Sequence, residues 1–186
     1  MAKKKLIINR KAVSKPRKDL LKGFKKLGEG LFATVYGKGN TVVKVIHDSD
    51  EPYIRFLQKI GIESENPYFP KIHKVVKFVD GRGQHYTAVF MEKLLEYNAA
   101  NGLTQRLSLK ALGAVSPEDL QYAEWDAAIN PAGYARRIAA TKDKHAKECL
   151  KVLRDIRAND THEGNIMFRQ VGKKMQLVIT DPVAFN

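Results

Sequence analysis

The sequence is poor in cysteine and has no long apolar run, and each shortage excludes a class of protein. A single cysteine, Cys149, cannot form an internal disulfide, which excludes a disulfide-stabilised secreted fold and fits a reducing cytoplasm. No window holds 18 consecutive apolar residues, so we expect neither a membrane-spanning helix nor a membrane partner. The apolar stretch at residues 6–8 is too short for a secretory signal, which also favours a cytoplasmic protein.

What the chain does contain is enough apolar sequence for a core and an uneven charge. An apolar fraction of 44% in 186 residues suffices for one domain or for two small lobes that share a cleft. The net charge is +13, and residues 1–26 carry eleven Lys and Arg against one acid. We therefore expect a near-neutral folded part behind a basic leader.

The leader, residues 1–20, contains Pro16 and many lysines without periodicity, which predicts a flexible or loosely docked arm. Its charge would attract an anionic partner such as nucleic acid, an acidic protein or polyphosphate. A solvated tail that aids solubility would have the same composition, so both interpretations stay open here.

Two glycines and one lysine after the leader suggest a phosphate-binding hairpin. Gly28 and Gly30 lie between alternating apolar and polar residues, which is typical of strand, tight turn and strand, and Val35 lies in the second strand. A backbone without Cβ can approach phosphate oxygens closely. Lys44 interrupts a β-branched run at residues 41–46, and lysine is seldom buried without a partner. We predict that Lys44 contacts phosphates; the alternative is a solvent-facing lysine on an edge strand.

A helix and a hairpin are predicted next. Acids and a proline at its start and Gly61 after its end predict a helix over residues 50–60. Two further strands, residues 70–79 and 84–91, flank the sequence Asp-Gly-Arg-Gly at 80–83, which favours a hairpin turn.

The end of the second of these strands is a candidate adenine site. An adenine ring needs backbone donors and acceptors together with an apolar lining. The carbonyl of Glu92 and the amide of Leu94 would supply the polar groups, and Met91 would line the back of the pocket.

After Leu95 the sequence favours helices. A capping signature at residues 116–119 predicts a helix from near Pro117 to about Ala128, and residues 132–157 are also predicted to be helical. Cys149 falls on the apolar face of that second segment, so we predict that it packs in the core and is not a nucleophile. The residues predicted to be core in these segments are Tyr122, Trp125, Ile129, Ala146, Cys149, Leu150, Leu153 and Ile156.

The stretch that begins at Asp160 carries the strongest chemical signal. Asn165 follows Asp160 by five residues, and two predicted strands, residues 166–168 and 175–180, form a hairpin that brings Asn165 and Asp181 to the same end. One carboxylate, Asp160, would take the proton of an attacking hydroxyl. The amide oxygen of Asn165 and the carboxylate of Asp181 would hold Mg²⁺, which prefers oxygen ligands.

Three segments resemble protein kinases. They are Phe24-Lys25-Lys26-Leu27-Gly28-x-Gly30-x-Phe32 followed by Val43-Lys44-Val45, Asp160-x-His162-x-Gly164-Asn165-Ile166-Met167-Phe168, and Ile179-Thr180-Asp181-Pro182-Val183-x-Phe185. From about residue 21 onward the chain resembles the early serine/threonine protein kinases of autographiviruses, the T-odd podophage group, within the protein-kinase-like superfamily. The resemblance implies an α+β, minimal bilobal kinase-like fold. An antiparallel sheet with one helix would form the N-lobe at residues 21–94, and a truncated, mainly helical C-lobe would occupy residues 95–186.

The resemblance also implies a reaction. It implies ATP- and Mg²⁺-dependent phosphorylation of host proteins in the host bacterial cytoplasm, including RNA polymerase and RNA-processing enzymes, and shut-off of host transcription. Lys44 would hold the α- and β-phosphates beneath the glycines, and Glu51 would form an ion pair with it. Val35 would also contact the nucleotide. Asp160 would be the catalytic base, and Asn165 and Asp181 would be the metal ligands.

The sequence departs from ordinary protein kinases in several places. Ala158-Asn159 stands where His-Arg is usual before the catalytic aspartate, and Asp181-Pro182-Val183 stands where Asp-Phe-Gly is usual. Pro182 fixes φ, so we expect no flipping phenylalanine switch. The sequence stops five residues after Asp181, without an activation segment, which leaves peptide binding to other parts such as the basic leader.

Two other functions compete with a protein kinase. Asp160-x-His162-x-x-Asn165 also resembles the catalytic loop of aminoglycoside and choline kinases, which act on small molecules with a larger helical lobe. A kinase-fold protein that only binds and inhibits a host factor is the third possibility. Clustered carboxylates repel one another without Mg²⁺, so the set Lys44, Asp160, Asn165 and Asp181 argues against a pure binder. The lone His162 lacks partners at zinc spacing and is expected to contact phosphate or to pack over the loop.

Overall fold

Antiparallel strands and α-helices give the chain an α+β fold, as the sequence predicts. The computed structural model describes residues 17–47, 51–62, 64–80, 82–114, 116–121 and 131–183. The chain divides into two compact units, the first Met1–Glu63 with Lys71–Lys93 and the second Ser64–Pro70 with Leu94–Asn186. Within the described ranges, no helix is long and apolar enough to cross a bilayer.

A five-stranded antiparallel sheet forms most of the first unit. Its strands lie in the order β1-β2-β3-β5-β4. The elements are α1 (Arg17–Leu20), β1 (Lys25–Glu29), β2 (Ala33–Lys38), β3 (Thr41–His47), α2 (Glu51–Ile60), β4 (Ile72–Val79) and β5 (His85–Glu92). The strands and the helix predicted for this part of the sequence are therefore present, with bounds shifted by one or two residues.

Strand β3 lies inside this sheet, between β2 and β5. The alternative in which Lys44 lies on an edge strand is therefore wrong. Val43 and Val45 alternate with Lys44 and form a buried cluster with Phe78 and Ala88. Since successive side chains of a strand point to opposite faces, Lys44 faces away from that cluster.

The predicted hairpin between β4 and β5 is confirmed, and Asp80 organises its turn. One oxygen of Asp80, Oδ1, accepts hydrogen bonds from the backbone N–H groups of Arg82 at 2.8 Å and Gln84 at 3.0 Å. These two N–H groups hold the pKa of the Asp80 carboxyl below its usual range. Gly83 has φ of +80°, a conformation that favours glycine.

The second unit combines helices with a three-stranded antiparallel sheet of order β6-β7-β8. Gly172, at φ +59°, makes the turn of the predicted hairpin between β7 and β8, which is confirmed. The elements are β6 (Leu95–Glu96), α3 (Gly102–Ala111), α4 (Glu118–Gln121), α5 (Pro131–Ala140), α6 (Lys144–Ile156), β7 (Ile166–Val171) and β8 (Lys174–Ile179), with 3-10 turns at Tyr97–Ala99 and Glu163–Asn165.

The helical segment predicted over residues 132–157 is two helices, α5 and α6. The hydroxyl of Thr141 donates to the carbonyl of Arg137 at 2.9 Å, which closes the last turn of α5. Asp143 then caps α6, because its Oδ1 accepts from the N–H of Ala146 at 2.6 Å. The polar side chains of Thr and Asp compete locally for backbone groups, and the prediction overlooked that signal.

The predicted apolar face of α6 is confirmed, since Ala146, Cys149, Leu150 and Leu153 are all buried. Ile156 remains partly exposed. Helix α4 begins at Glu118, beside the predicted start at Pro117. The rest of the predicted helix, with Tyr122, Trp125 and Ile129, falls on residues that the structure does not describe.

Helix α6 ends at Arg157, which adopts a left-handed conformation with φ 57° and ψ 58°. The N–H of Ala158 then donates to the carbonyl of Leu153 at 2.9 Å, so the chain turns away from the helix axis. Ala158 is fully buried. This reversal anchors the beginning of the loop that carries Asp160.

Replacing the cap of α6 should destabilise the fold. Asp143→Ala leaves the N–H of Ala146 without its partner, so the free energy of unfolding should fall by about 0.5–2 kcal/mol. A chain of this size should lose roughly 2–4 °C in Tm for each kcal/mol. The matched control is Asp143→Asn, which keeps an acceptor and should lose only a few tenths of a kcal/mol. Equal losses for both variants in denaturant unfolding would contradict the capping role.

Candidate active site

In the first unit, three sequence-predicted site residues lie in one row across the sheet. Gly28 of β1 pairs with Val35 of β2, and Val35 pairs with Lys44 of β3. The row continues to Val89 of β5. Residues directly opposite each other in an antiparallel sheet share a face, so Val35 and Lys44 present their side chains on the same side.

Helix α2 contributes an aromatic contact of Lys44. The Lys44 Nζ lies 3.7 Å from the centroid of the Tyr53 ring, and the ring is 1% exposed. A cation over the face of an aromatic ring is attracted by the ring's negative face. The contact therefore fixes the position of the ammonium group within the first unit.

Neither of the usual reasons for a glycine applies to Gly28 and Gly30 of the β1–β2 hairpin. Their backbones are not left-handed, and a Cβ would not clash with any described residue. Both have φ outside the positive range, and a Cβ added to Gly28 would meet nothing within 4 Å. A Cβ on Gly30 would come only to 4.0 Å of the Ala33 carbonyl oxygen, which accepts from the Gly30 N–H. In contrast, a Cβ on Gly37 would lie 2.6 Å from Leu27 Cδ1. The space beside Gly28 is thus open to a ligand.

The residues predicted to surround adenine lie at the end of β5. Met91 is buried and pairs with Val42. Glu92 is the last residue of β5, and its Oε1 accepts from the N–H of Lys71 at 2.8 Å. Leu94 is buried and is the first residue of the longer segment of the second unit.

Glu51, the predicted partner of Lys44, begins helix α2. Its side chain lies outside the described part of the structure. The predicted Lys44–Glu51 ion pair therefore stays a prediction.

In the second unit, Asn165 is hydrogen-bonded to Asp160. The amide Nδ2 of Asn165 donates to the Asp160 carbonyl at 2.7 Å and to Asp160 Oδ2 at 2.8 Å. Two oxygen acceptors fix which end of the amide is nitrogen, since an oxygen placed there would be repelled. The amide oxygen of Asn165 therefore points elsewhere and is available as a ligand.

His162 packs over the same loop. Its Nδ1 accepts from the N–H of Gly164 at 3.0 Å, which assigns the proton of the neutral ring to Nε2. Nε2 lies 3.5 Å from Asp160 Oδ1 and 3.1 Å from Asn165 Nδ2. With a proton on Nε2, the contact with Asp160 is favourable and the contact with Asn165 is not a hydrogen bond. A Cβ on Gly164 would lie 2.8 Å from His162 Cε1, which explains the glycine.

The chain after β8 is bonded to this loop on both sides of Asp181. The N–H and the hydroxyl of Thr180 both donate to the carbonyl of Asn165, each at 2.9 Å. The carbonyl of Pro182 accepts from the N–H groups of Asn159 at 3.0 Å and Asp160 at 3.1 Å. Asp181 lies between Thr180 and Pro182, so its backbone is held beside the loop that carries Asp160 and Asn165.

This set of oxygen atoms fits Mg²⁺. The carboxylate of Asp181 and the amide oxygen of Asn165 are hard ligands, and waters and substrate phosphates would supply the other oxygens. Within the described residues, no group of three or more His, Cys, Asp and Glu side chains could hold a metal. A site for a softer ion such as zinc would need such a group.

Sequence reasoning missed two residues that shape these sites, Thr180 and Tyr53. Thr180 precedes Asp181 directly, and a hydroxyl at a strand end is a weak signal that could have suggested its bond to the loop. Tyr53 gave no signal in the sequence beyond its place on an amphipathic helix, because its contact depends on how α2 packs on the sheet.

The comparison with protein families identifies one match. The sequence model of the family described as bacteriophage T7 protein kinase 0.7 matches residues 13–186. No individual curated protein matches the chain.

Cys149 should be unreactive while the protein is folded. Its thiol is fully buried, and burial raises its pKa well above the ordinary value, so the reactive thiolate is disfavoured. We expect no labelling by a thiol reagent at pH 8 in buffer and complete labelling in denaturant, both followed by mass spectrometry. Rapid labelling of the folded protein would contradict the burial. A Cys149→Ser variant serves as the unlabelled control.

Proposed function

Because the chain belongs to the bacteriophage T7 protein kinase 0.7 family, we propose that it transfers the γ-phosphoryl group of ATP to serine and threonine side chains of host proteins. The observation that carries the proposal is the arrangement of Asp160, Asn165 and Asp181. Hydrogen bonds from Asn165 to Asp160, and from Thr180 to Asn165, support it.

Asp160 is the proposed base. Its carboxylate would accept the proton of the substrate hydroxyl while the hydroxyl oxygen bonds to the γ-phosphorus and the bond to the β-phosphate oxygen breaks. The donation from Asn165 Nδ2 to Asp160 Oδ2 orients the carboxylate. His162 Nε2, at 3.5 Å from Oδ1, restricts its rotation on the other side.

Asn165 and Asp181 are the proposed Mg²⁺ ligands. When bound, the ion would neutralise charge on the phosphates and hold them in line for transfer. The outward direction of the Asn165 amide oxygen, imposed by the two bonds of its nitrogen, supports this assignment.

In the first unit, Lys44 and the glycine hairpin are the proposed phosphate-binding groups. The shared face of Val35 and Lys44 and the open space beside Gly28 support this role. Met91, Glu92 and Leu94 are the proposed adenine-binding residues. In this proposal the two lobes of a minimal kinase are residues 21–94 and 95–186.

The proposed substrates are proteins of the host bacterial cytoplasm, among them RNA polymerase and RNA-processing enzymes, with shut-off of host transcription as the outcome. Support comes from the phage family and from the resemblance of the three kinase-like segments. The basic leader is the proposed contact for acidic regions of these substrates, because most of the net charge lies there.

Loss of Asp160 tests the reaction. Asp160→Ala removes the base, so phosphorylation of host proteins should fall by about 10²–10⁴-fold. The assay is transfer of γ-labelled phosphate from ATP to proteins of a bacterial lysate. The matched control is Asp155→Ala on α6, which removes an exposed carboxylate that accepts from its neighbour Arg154.

Other outcomes of this assay separate the competing functions. Label on small molecules rather than on proteins would favour a small-molecule phosphotransferase. Retention of a host protein without any label, equally in wild type and in Asp160→Ala, would favour an inhibitor that uses the kinase fold only for binding. Either result would overturn the proposed protein kinase.

Removal of the leader tests its proposed role in substrate binding. A variant without residues 2–16 keeps Leu20 and Leu21, which pack against the core cluster of the sheet. We expect KM for an acidic protein substrate to rise at low salt while KM for ATP stays unchanged, because the leader acts on the substrate alone. If KM for the protein substrate is the same with and without the leader, the leader does not bind that substrate, and this proposed role is wrong.

A further inference from the structure

We propose that the aromatic ring of Tyr53 positions the Lys44 ammonium group for the phosphates of the nucleotide, a role that goes beyond the acidic partner expected from the sequence. The inference rests on the proposed function, since it assigns a positioning residue to its phosphate-binding lysine. The observation that carries it is the 3.7 Å distance between Lys44 Nζ and the centroid of the Tyr53 ring.

Both ends of this contact are fixed by the fold of the first unit. Lys44 lies on an interior strand, with Val35 opposite it on one side and Val89 on the other. Tyr53 is 1% exposed and packs against Phe56, with ring centroids 5.9 Å apart. The strand and the ring are both held by the fold, so the place of Tyr53 on α2 restrains where the Lys44 ammonium group lies.

An aromatic ring holds a lysine in a different way from a carboxylate. The negative face of the ring attracts the ammonium group and shields one side of it from water, but it does not neutralise its charge. A carboxylate would compete with phosphate oxygens for the same protons. Contact with Tyr53 therefore orients the ammonium group without neutralising its charge.

Simple core packing is the other explanation for a buried tyrosine on α2. Packing depends on the volume and shape of the ring, whereas attraction of a cation depends on its electron density. A change that lowers the electron density and keeps the volume therefore separates the two roles.

Fluorination of the ring makes that change. Position 53 is replaced first by phenylalanine and then by phenylalanine with one, two and three ring fluorines, and Kd for a fluorescent ATP analogue with Mg²⁺ is measured. We expect Kd to rise stepwise along the series, by about 2- to 30-fold in total, with Tm nearly unchanged. A flat series would overturn the inference, because it would leave Tyr53 with a packing role only.

A double-mutant cycle tests whether Tyr53 acts through Lys44. Tyr53→Leu should weaken nucleotide binding in the wild-type chain and should have no further effect in a Lys44→Met background. Equal effects in both backgrounds would mean that Tyr53 acts by another route, which contradicts the proposal.

A readout that needs no nucleotide checks the contact itself. The Hε protons of Lys44 should be shifted upfield in the NMR spectrum by the ring current of Tyr53, and the shift should vanish in Tyr53→Leu. If the wild-type protein binds no ATP and labels nothing, the proposed function fails and the inference fails with it. If the wild type is active and the ring-current shift is absent or the fluorine series is flat, only the role of Tyr53 fails.

Discussion

Two backbone carbonyls hold the candidate catalytic loop in place. The carbonyl of Asn165 accepts two donors from Thr180, and the carbonyl of Pro182 accepts the N–H groups of Asn159 and Asp160. Each bond contributes only about 0.5–1.5 kcal/mol net, but four of them act on one short segment. Because Asp181 stands between Thr180 and Pro182, the same bonds that fix the backbone of Asp160 also fix the backbone of Asp181. The loop and the end of β8 therefore form a single unit of structure.

In the first unit, pairing between strands, rather than contacts within a loop, fixes the position of the candidate site residue Lys44. The backbone of Lys44 is held by strands on both sides of β3. Because side chains alternate along β3, Val43 and Val45 lie in the core cluster and Lys44 lies on the other face. The cost of placing a cation there is offset by the ring of Tyr53. The cluster of Val43 and Val45 and the side chain of Lys44 thus lie on opposite faces of the same strand.

Much of the fold follows from local sequence signals, and the rest depends on tertiary contacts. Period-two alternation identified β1 and β2, and a β-branched run identified β3. The turn residues at 80–83 and Gly172 identified the two later hairpins. The break between α5 and α6 was missed because Ala-rich sequence on both sides of residues 141–143 outweighed one capping aspartate.

The candidate site shows the same division. The spacing of Asp160, Asn165 and Asp181 was visible in the sequence because it lies within one loop and one hairpin. The ring beside Lys44 was not visible, since no spacing rule states which residue of a helix will pack over a given strand position. From the sequence, Pro182 predicted only that a flipping phenylalanine switch is absent. In the structure its carbonyl is one of the two that hold the loop.

The left-handed residue Arg157 constrains the length of helix α6 in this chain. Helix α6 runs for 13 residues between the cap at Asp143 and the reversal at Arg157, a distance of about 20 Å. One inserted residue would turn everything beyond it by about 100° around the helix axis and advance it by about 1.5 Å. The aspartate three positions further on would then leave the carbonyl of Pro182. Exposed residues of α6 can therefore be substituted, but the number of residues in the helix cannot change without moving the loop.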